Sequence, residues 1–447
     1  MITLSEPGVP AVSGSIPLCV PEIRGNEWKY IRECLDTNFV SSVGPFVDRF
    51  ERELAVCVGV KYAVATVNGT SALHISLLAA GVQPDDEVII STLTFIAPVN
   101  AIRYVGAWPV FIDAEEQYWQ MDPQKVCDFI EKGCVWKNGE LRNKATNRRV
   151  RAILPVHILG HPVDMDPILE QARKYNLPVI EDATECLGAK YDSQRSEIRG
   201  PALSGTSQRL APPLAGSGGS NQKSAASIKP LKNNEEPRTK NQERNWLHAG
   251  QLGDISCFSF NGNKIITTGG GGMIVTDNEE WAHKAKYLTT QAKDDPKEFV
   301  HNEIGYNYRL PNIQAAMGCA QLEKLDEYIA IKRRVAETYV TSLCGVPGLT
   351  PMCEAKWAFS IFWMFTMLVD EKKYGMNSRA LLRHLADQKI QARPLWQPMH
   401  LSPAHRDAYA TDCAVAEKLN REAISLPCSV GLTKVQQDKI ISQIVKS

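Results

Sequence analysis

Short β-branched runs, each followed by a helical pattern, recur from about Ile16 to Ala320, and no other feature constrains the fold as strongly. "KYAVATVNGT" leads into "SALHISLLAAGV", and "EVIISTLTF" into "IAPVNAIRYVGA". "WPVFIDA", "VRAILPVHILG" and "LPVIEDATE" follow, each of strand length. Strands separated by helices predict an α/β architecture, a mostly parallel sheet covered on both faces. Open sheets of this kind take ligands beyond the carboxyl ends of their strands. Here those ends read "NGTS", "TLTF", "EDATE" and "FSFNGNK", so polar and aromatic groups gather where chemistry is expected.

The rest of the chain divides around this repeat. Residues 1–15 read as a loose tail and 16–320 as the large ligand-binding domain. Residues 321–447 form a smaller C-terminal α+β domain, marked by "FWMFTMLVD", "RALLRHLADQ" and "KVQQDKIISQIV". "NYRLPNIQAAMGCAQLEKLDEYIAIKRRVAETYVTSL" reads as one long helical stretch broken at or near Pro311. Residues 192–247 are rich in Ser, Gly, Pro, Asn and Lys and almost lack large apolar side chains. Such a segment buries too little to order itself and predicts a disordered surface insertion.

Charge and cysteine usage exclude several classes. Fifty basic residues balance fifty acidic ones, which argues against nucleic-acid or membrane-surface binding through global charge. No run of about 18 apolar residues reads as a membrane span. The N-terminus lacks the basic start and apolar core of a signal peptide. Twelve cysteines are scattered without a C-x-x-C pair, several inside apolar runs. That pattern predicts free thiols in a reducing cytoplasm rather than a disulfide framework.

Lys264 is the first candidate for chemistry. In "CFSFNGNKIITTGGGG" it stands between a strand-like run and four glycines, with no acid close by in sequence. A lysine so placed forms a Schiff base if neighbouring cations or desolvation lower its pKa; most lone lysines are simply solvated. The P-loop frame G-x-x-x-x-G-K-[ST] is absent. Asp182 and Glu181 end the run "LPVIEDA", and one carboxylate there would suit pyridoxal phosphate (PLP), whose ring nitrogen needs an acid beside it. A helix N-cap is the plainer role, and the alternation of the run does not choose between the two acids. Asn68, Gly69, Thr70 and Ser71 sit at a strand-to-helix turn, where free amides and the helix dipole favour an anion such as a phosphate. Ser259 offers a further hydroxyl. Phe95 is placed to lie against a cofactor ring, although an aromatic there is more often core.

These fragments meet a resemblance. "GTSAL", "TLTFIAPVNAI", "PVFIDA", "LPVHILGHPVDM", "VIEDATECLGAKY", "CFSFNGNKIITTGGGGMIVT" and "GYNYRLPNIQAAMG" occur in the order found in the DegT/DnrJ/StrS family of nucleotide-sugar aminotransferases. The resemblance covers nearly everything from Ile16 to Val445 except residues 192–247. It implies a fold-type I enzyme with PLP as cofactor and L-glutamate as amino donor. It also implies roles. Lys264 bonds to the cofactor and shuttles the proton, Asp182 partners the pyridine nitrogen, and Phe95 stacks on the ring. Gly69, Thr70, Ser71 and Ser259 surround the phosphate, and Glu185 lies near the phenolic oxygen. Asn307 reaches the phosphate of a neighbouring subunit, which implies a homodimer with shared sites. "NGNKIITTGGGG" together with "RNKATNRRVRAILPVHILGH" resembles the branch that aminates C4 of a nucleotide-linked 4-keto-6-deoxy-N-acetylhexosamine.

Rival classes remain to be set against this. A dehydratase of the same fold carries His in place of the lysine. An inactive scaffold would have lost Lys264 or Asp182, and both are present. His157 and His161 lack further ligands at metal spacing and read as core or supporting residues. Trp396 and His400 lie where family members approach the sugar.

Overall fold

A computed structural model describes residues 14–192, 246–295 and 297–445. Seven strands form the central sheet: β1 (Tyr62–Thr66), β2 (Glu87–Ser91), β3 (Trp108–Ile112), β4 (Arg149–Leu154), β5 (Ile180–Asp182), β6 (Ile255–Ser259) and β7 (Gly272–Thr276). One block is ordered β1-β7-β6-β5, and a second contains β3-β2-β4. Parallel bridges Ile153↔Val179 and Val156↔Asp182 join β4 to β5 and unite the two blocks. From β6 through β5, β4 and β2 to β3 the pairing is parallel, as the alternating pattern predicts. Strand β7 departs from it, running antiparallel to both β1 and β6. All five residues of β1, β2 and β7 are buried, which explains their continuous apolar runs: a strand covered on both faces has no solvent side to alternate with.

This topology brings the carboxyl ends of β1, β2, β4, β5 and β6 to one edge. Helix α1 (Gly69–Ala79) starts there directly after β1, and helix α2 (Ile96–Tyr104) after β2. Phe50, Phe258 and Phe260 are fully buried beneath that edge. A second, antiparallel sheet combines Leu349–Pro351, Phe365–Val369, Ala423–Leu426 and Arg393–Pro394. The C-terminal part also returns to the first sheet, where Tyr409–Ala410 pairs with β3.

Two expectations need correction. The expected break at Pro311 is present, Pro311 capping helix α3 (Asn312–Leu322), but a second, unexpected break at Glu323 and Lys324 precedes helix α4 (Leu325–Leu343). Proline has no N–H to donate and suits a helix start, so the first break was predictable; the second was not. The proposed insertion is also narrower at its described ends. Lys190–Asp192 pairs with Trp246–His248, Asp192 facing Trp246, so both ends are strand. Residues 193–245 and 1–13 lie outside the described part of the chain. All twelve cysteines are free thiols, as expected.

Candidate active site

Strand β5 ends in two adjacent carboxylates with opposite surroundings. Glu181 is fully buried and accepts from His157 Nε2 at 2.8 Å, Gly250 N at 3.0 Å, Leu252 N at 2.9 Å and Ser256 Oγ at 3.3 Å, and also from the amide of Gly253. Burial alone would raise its pKa, but His157 and the backbone donors hold it below the usual carboxylate value. Asp182, equally buried, accepts from the Thr184 amide at 3.1 Å. Burial raises its pKa, opposed by the Thr184 hydrogen bonds and the charge of Lys264. The choice left open by the sequence is therefore made by direction. Glu181 is spent on the fold, and Asp182 faces the lysine.

Lys264 follows a tight turn in which its amide donates to Asn261 O at 3.0 Å. Its Nζ lies 3.2 Å from Glu185 Oε1 and 4.2 Å from the centre of the Trp363 ring. The acidic partner that the neighbouring sequence lacks comes instead from 79 positions away. Glu185 is held by the Leu159 amide at 2.9 Å. Its own pKa is raised by burial and lowered by Lys264. Trp363 is anchored by its Nε1, which donates to Asn263 O at 2.7 Å.

At the start of α1, Asn68 caps the helix, its side chain accepting from Ser71 N at 2.7 Å. The Gly69 and Thr70 amides, first in the helix, have no intrahelical acceptor. Two glycines make this corner. A Cβ on Gly69 would stand 2.9 Å from Ser259 Cβ, and one on Gly272 would stand 2.5 Å from the Asn68 carbonyl. Ser259 thus packs against the helix start, with Thr184 beside it.

The other predicted residues fall in less crowded places. Phe95, at the cap of α2, is 55% exposed. Asn307 is exposed and bridges Thr290; none of its described contacts involves Lys264. His157 and His161 are buried supports. Val163 N donates to His157 Nδ1 at 3.1 Å, and Ala355 N donates to His161 Nε2 at 3.0 Å. Burial lowers the His161 pKa to about 4. His400 is tied to Thr92 Oγ1 at 2.7 Å and Glu417 at 3.2 Å, and Trp396 O accepts from Asn420. Sequence reasoning missed Trp363 and Thr184. Thr184 lies two residues after Asp182, where a threonine signals a turn, but nothing local ties Trp363 to a lysine 99 positions earlier.

Comparison with known proteins adds a decisive observation. The model of the DegT/DnrJ/EryC1/StrS aminotransferase family matches residues 21–201 and 240–445. The chain belongs to that family. It is 35% identical over 432 residues to a GDP-perosamine synthase of Caulobacter vibrioides, covering 96% of this chain and 97% of the relative. It is 34% identical to a GDP-perosamine synthase of Escherichia coli O157:H7, covering 94% and 95%. In fold it is similar to Spr1654 of Streptococcus pneumoniae, a candidate sugar aminotransferase solved in its PLP form. That match has a TM-score of 0.76 at 19% identity and covers 97% and 98% of the two chains. The protein is a PLP-dependent sugar aminotransferase of fold-type I.

The residues present fit that cofactor. A phosphate dianion needs donors, and the start of α1 offers amides at the positive end of a helix dipole. A cationic ring nitrogen needs a buried anion, and Asp182 is one whose burial cost a cation would offset. The Lys264 amine lies between a carboxylate and an indole face.

Proposed function

We propose that this aminotransferase moves an amino group from L-glutamate to the C4 ketone of a nucleotide-linked 4-keto-6-deoxyhexose. The observation that carries the assignment of roles is the Lys264–Glu185 contact of 3.2 Å at the same strand edge as Asp182. When bound, PLP supplies an electron-withdrawing ring that takes up charge while an amino group changes carbon. Lys264 carries the proton between reacting carbons at its Nζ, and Glu185 holds that amine in place between transfers. Asp182 keeps a proton on the ring nitrogen. The Gly69, Thr70 and Ser71 segment, with Ser259, binds the phosphate. Phe95 and Trp363 form apolar walls that exclude water on two sides.

The exposed side of this arrangement supports a homodimer. Phe299 and Ile304, 67% and 83% exposed, flank the segment that leads to Asn307. A second copy placed there would cover them and bring Asn307 to the partner's phosphate. Division of each copy near residue 320, with a C-terminal domain over the strand edge, belongs to the same proposal, as does a cytoplasmic site of action.

Two sugars compete for the substrate. The fragments above favour an N-acetylhexosamine, whereas the names of the relatives favour the GDP-linked 4-keto sugar whose amination gives perosamine. The coverage of the relatives from end to end makes the second the stronger candidate. Holoenzyme supplied with 15N-glutamate and either a GDP-linked or a UDP-linked acetamido 4-keto sugar decides between them by product mass. Label in neither product, with the keto sugars intact, would overturn the proposed reaction.

A further inference from the structure

Lys332, on α4, is fully buried, yet among the described residues no carboxylate is paired with it. Its Nζ donates to Trp363 O at 2.8 Å and lies 3.5 Å from Cys19 Sγ and 3.6 Å from Cys428 Sγ. A buried ammonium with only a carbonyl for company costs several kcal/mol unless an anion compensates. The neighbours able to become anions are the two thiols. They sit on adjacent extended segments, because Cys428 N donates to Leu18 O at 2.8 Å. Backbones one hydrogen bond apart fall within the span of about 4.4–6.8 Å between Cα atoms that a disulfide bridges. Cys19 is half-buried and so open to a small oxidant, while Cys428 is enclosed.

We propose that Cys19 and Cys428, clamped around Lys332, form an oxidisable thiol pair in which the Cys19 thiolate attacks a peroxide oxygen and Cys428 closes the disulfide. The charged groups facing Cys19 are Lys332 and, further off, Lys264, and both favour its thiolate, as does the neighbouring Cys428 thiol, whose Sγ donates to Trp363 O at 3.6 Å. These hold the Cys19 pKa down to about 5, the Cys428 thiol contributing most. Hydrogen peroxide takes two electrons from the Cys19 sulfur, giving a sulfenic acid and hydroxide. Cys428 then displaces the sulfenic oxygen as water, its thiol proton leaving with that oxygen through Lys332. Each step balances with peroxide as the sole oxidant. The bond replaces the Cys19 contact to Asn263 O, 3.5 Å long and one residue before Lys264.

The test uses full-length holoenzyme pulsed with iodoacetamide from pH 6 to pH 8, followed by peptide mass spectrometry. Cys353 is the internal control, an exposed thiol whose pKa burial raises. Labelling of Cys353 should climb about tenfold per pH unit, while that of Cys19 stays flat within about threefold. Peroxide should then cross-link Cys19 to Cys428 reversibly by dithiothreitol. Cys428→Ser should leave a sulfenic acid at Cys19 that dimedone traps. A Cys19 profile parallel to that of Cys353 overturns the proposal on the wild-type protein alone, whatever the fate of the variant. A flat profile without the cross-link, or with Cys19 joined to Lys332 instead, overturns the pairing with Cys428.

Discussion

The two faces of strand β5 differ more than any two distant parts of the molecule. On one face Glu181 receives five hydrogen bonds, from His157, Gly250, Leu252, Gly253 and Ser256. On the other, Asp182 accepts from the Thr184 amide and lies in the field of Lys264. Both carboxylates are buried, so exposure does not separate them. What separates them is saturation. A carboxylate offers about four lone-pair sites, and one whose sites are all filled by the fold has none left for a ligand. A second contrast lies around Trp363, whose ring meets Lys264 while its carbonyl meets Lys332. For the carboxylates, the member left partly unfilled, Asp182, belongs to the cofactor side; for the lysines, the cofactor-side member, Lys264, is the one with a carboxylate partner.

The largest effect expected is on that side. Lys264→Ala should reduce transamination by at least about a thousandfold, since it removes the group that carries the proton. Melting temperature should move little, because the lysine is half-buried and its main partner, Glu185, keeps the Leu159 amide. An absorbance band of bound PLP that still shifts with glutamate in this variant would break the assignment.

Next comes the exchange across the strand. Asp182→Asn should cost about a hundredfold or more in kcat/KM and leave the apoenzyme as stable as the wild type, or more so, as a buried charge is removed. Glu181→Gln should do the reverse. Its new N–H group would face amide donors, destabilising the fold by about 3 kcal/mol while activity of the folded fraction stays within about threefold. Chemical denaturation and steady-state kinetics on both variants check the pair. Similar stability losses in the two would erase the distinction drawn here.

The pH dependence sharpens the comparison because the signs are opposite. The Glu181 pKa is lowered in the fold, so its contribution is present above about pH 4.5 and disappears as pH falls through the folded value. Buried His161, lowered from 6.5 to about 4, adds a loss of the same sign as pH falls from 6.5 toward 4. The Asp182 pKa is raised, so its contribution is complete below about pH 3.8 and is lost as pH rises through the folded value. Acid destabilisation of the apoenzyme should therefore be shallower in Glu181→Gln and steeper in Asp182→Asn. Melting curves from about pH 2.5 to pH 8 read both slopes.

Much of this site was legible in the sequence, and the limits have physical causes. The strand-to-helix turn at Asn68 and the lysine before the glycines announce themselves, because caps and turns are local. The choice between Glu181 and Asp182 was hidden because all three residues of β5 are buried, leaving no polar alternation to reveal a face. The Glu185 partner of Lys264 and the Trp363 wall depend on chain crossings that periodicity does not encode. The antiparallel β7 was hidden for a related reason, since its buried run looks like that of any parallel neighbour.

The smallest effect separates folding from cofactor binding within one residue. Asn68 accepts from Ser71 N at 2.7 Å, so Asn68→Ala should cost about 1 kcal/mol of apoenzyme stability. Asn68→Asp keeps the accepting oxygen and places a negative charge at the positive end of α1, which the helix dipole favours. Apoenzyme stability should then match the wild type or exceed it slightly. The same charge would repel a phosphate at the Gly69 and Thr70 amides, weakening PLP binding by about five- to tenfold, or about 1 kcal/mol. Melting of the apoenzyme and absorbance titration with PLP measure the two quantities independently. If the aspartate variant binds PLP as tightly as the wild type, the start of α1 is a helix cap and nothing more, and the phosphate must be held elsewhere on the strand edge.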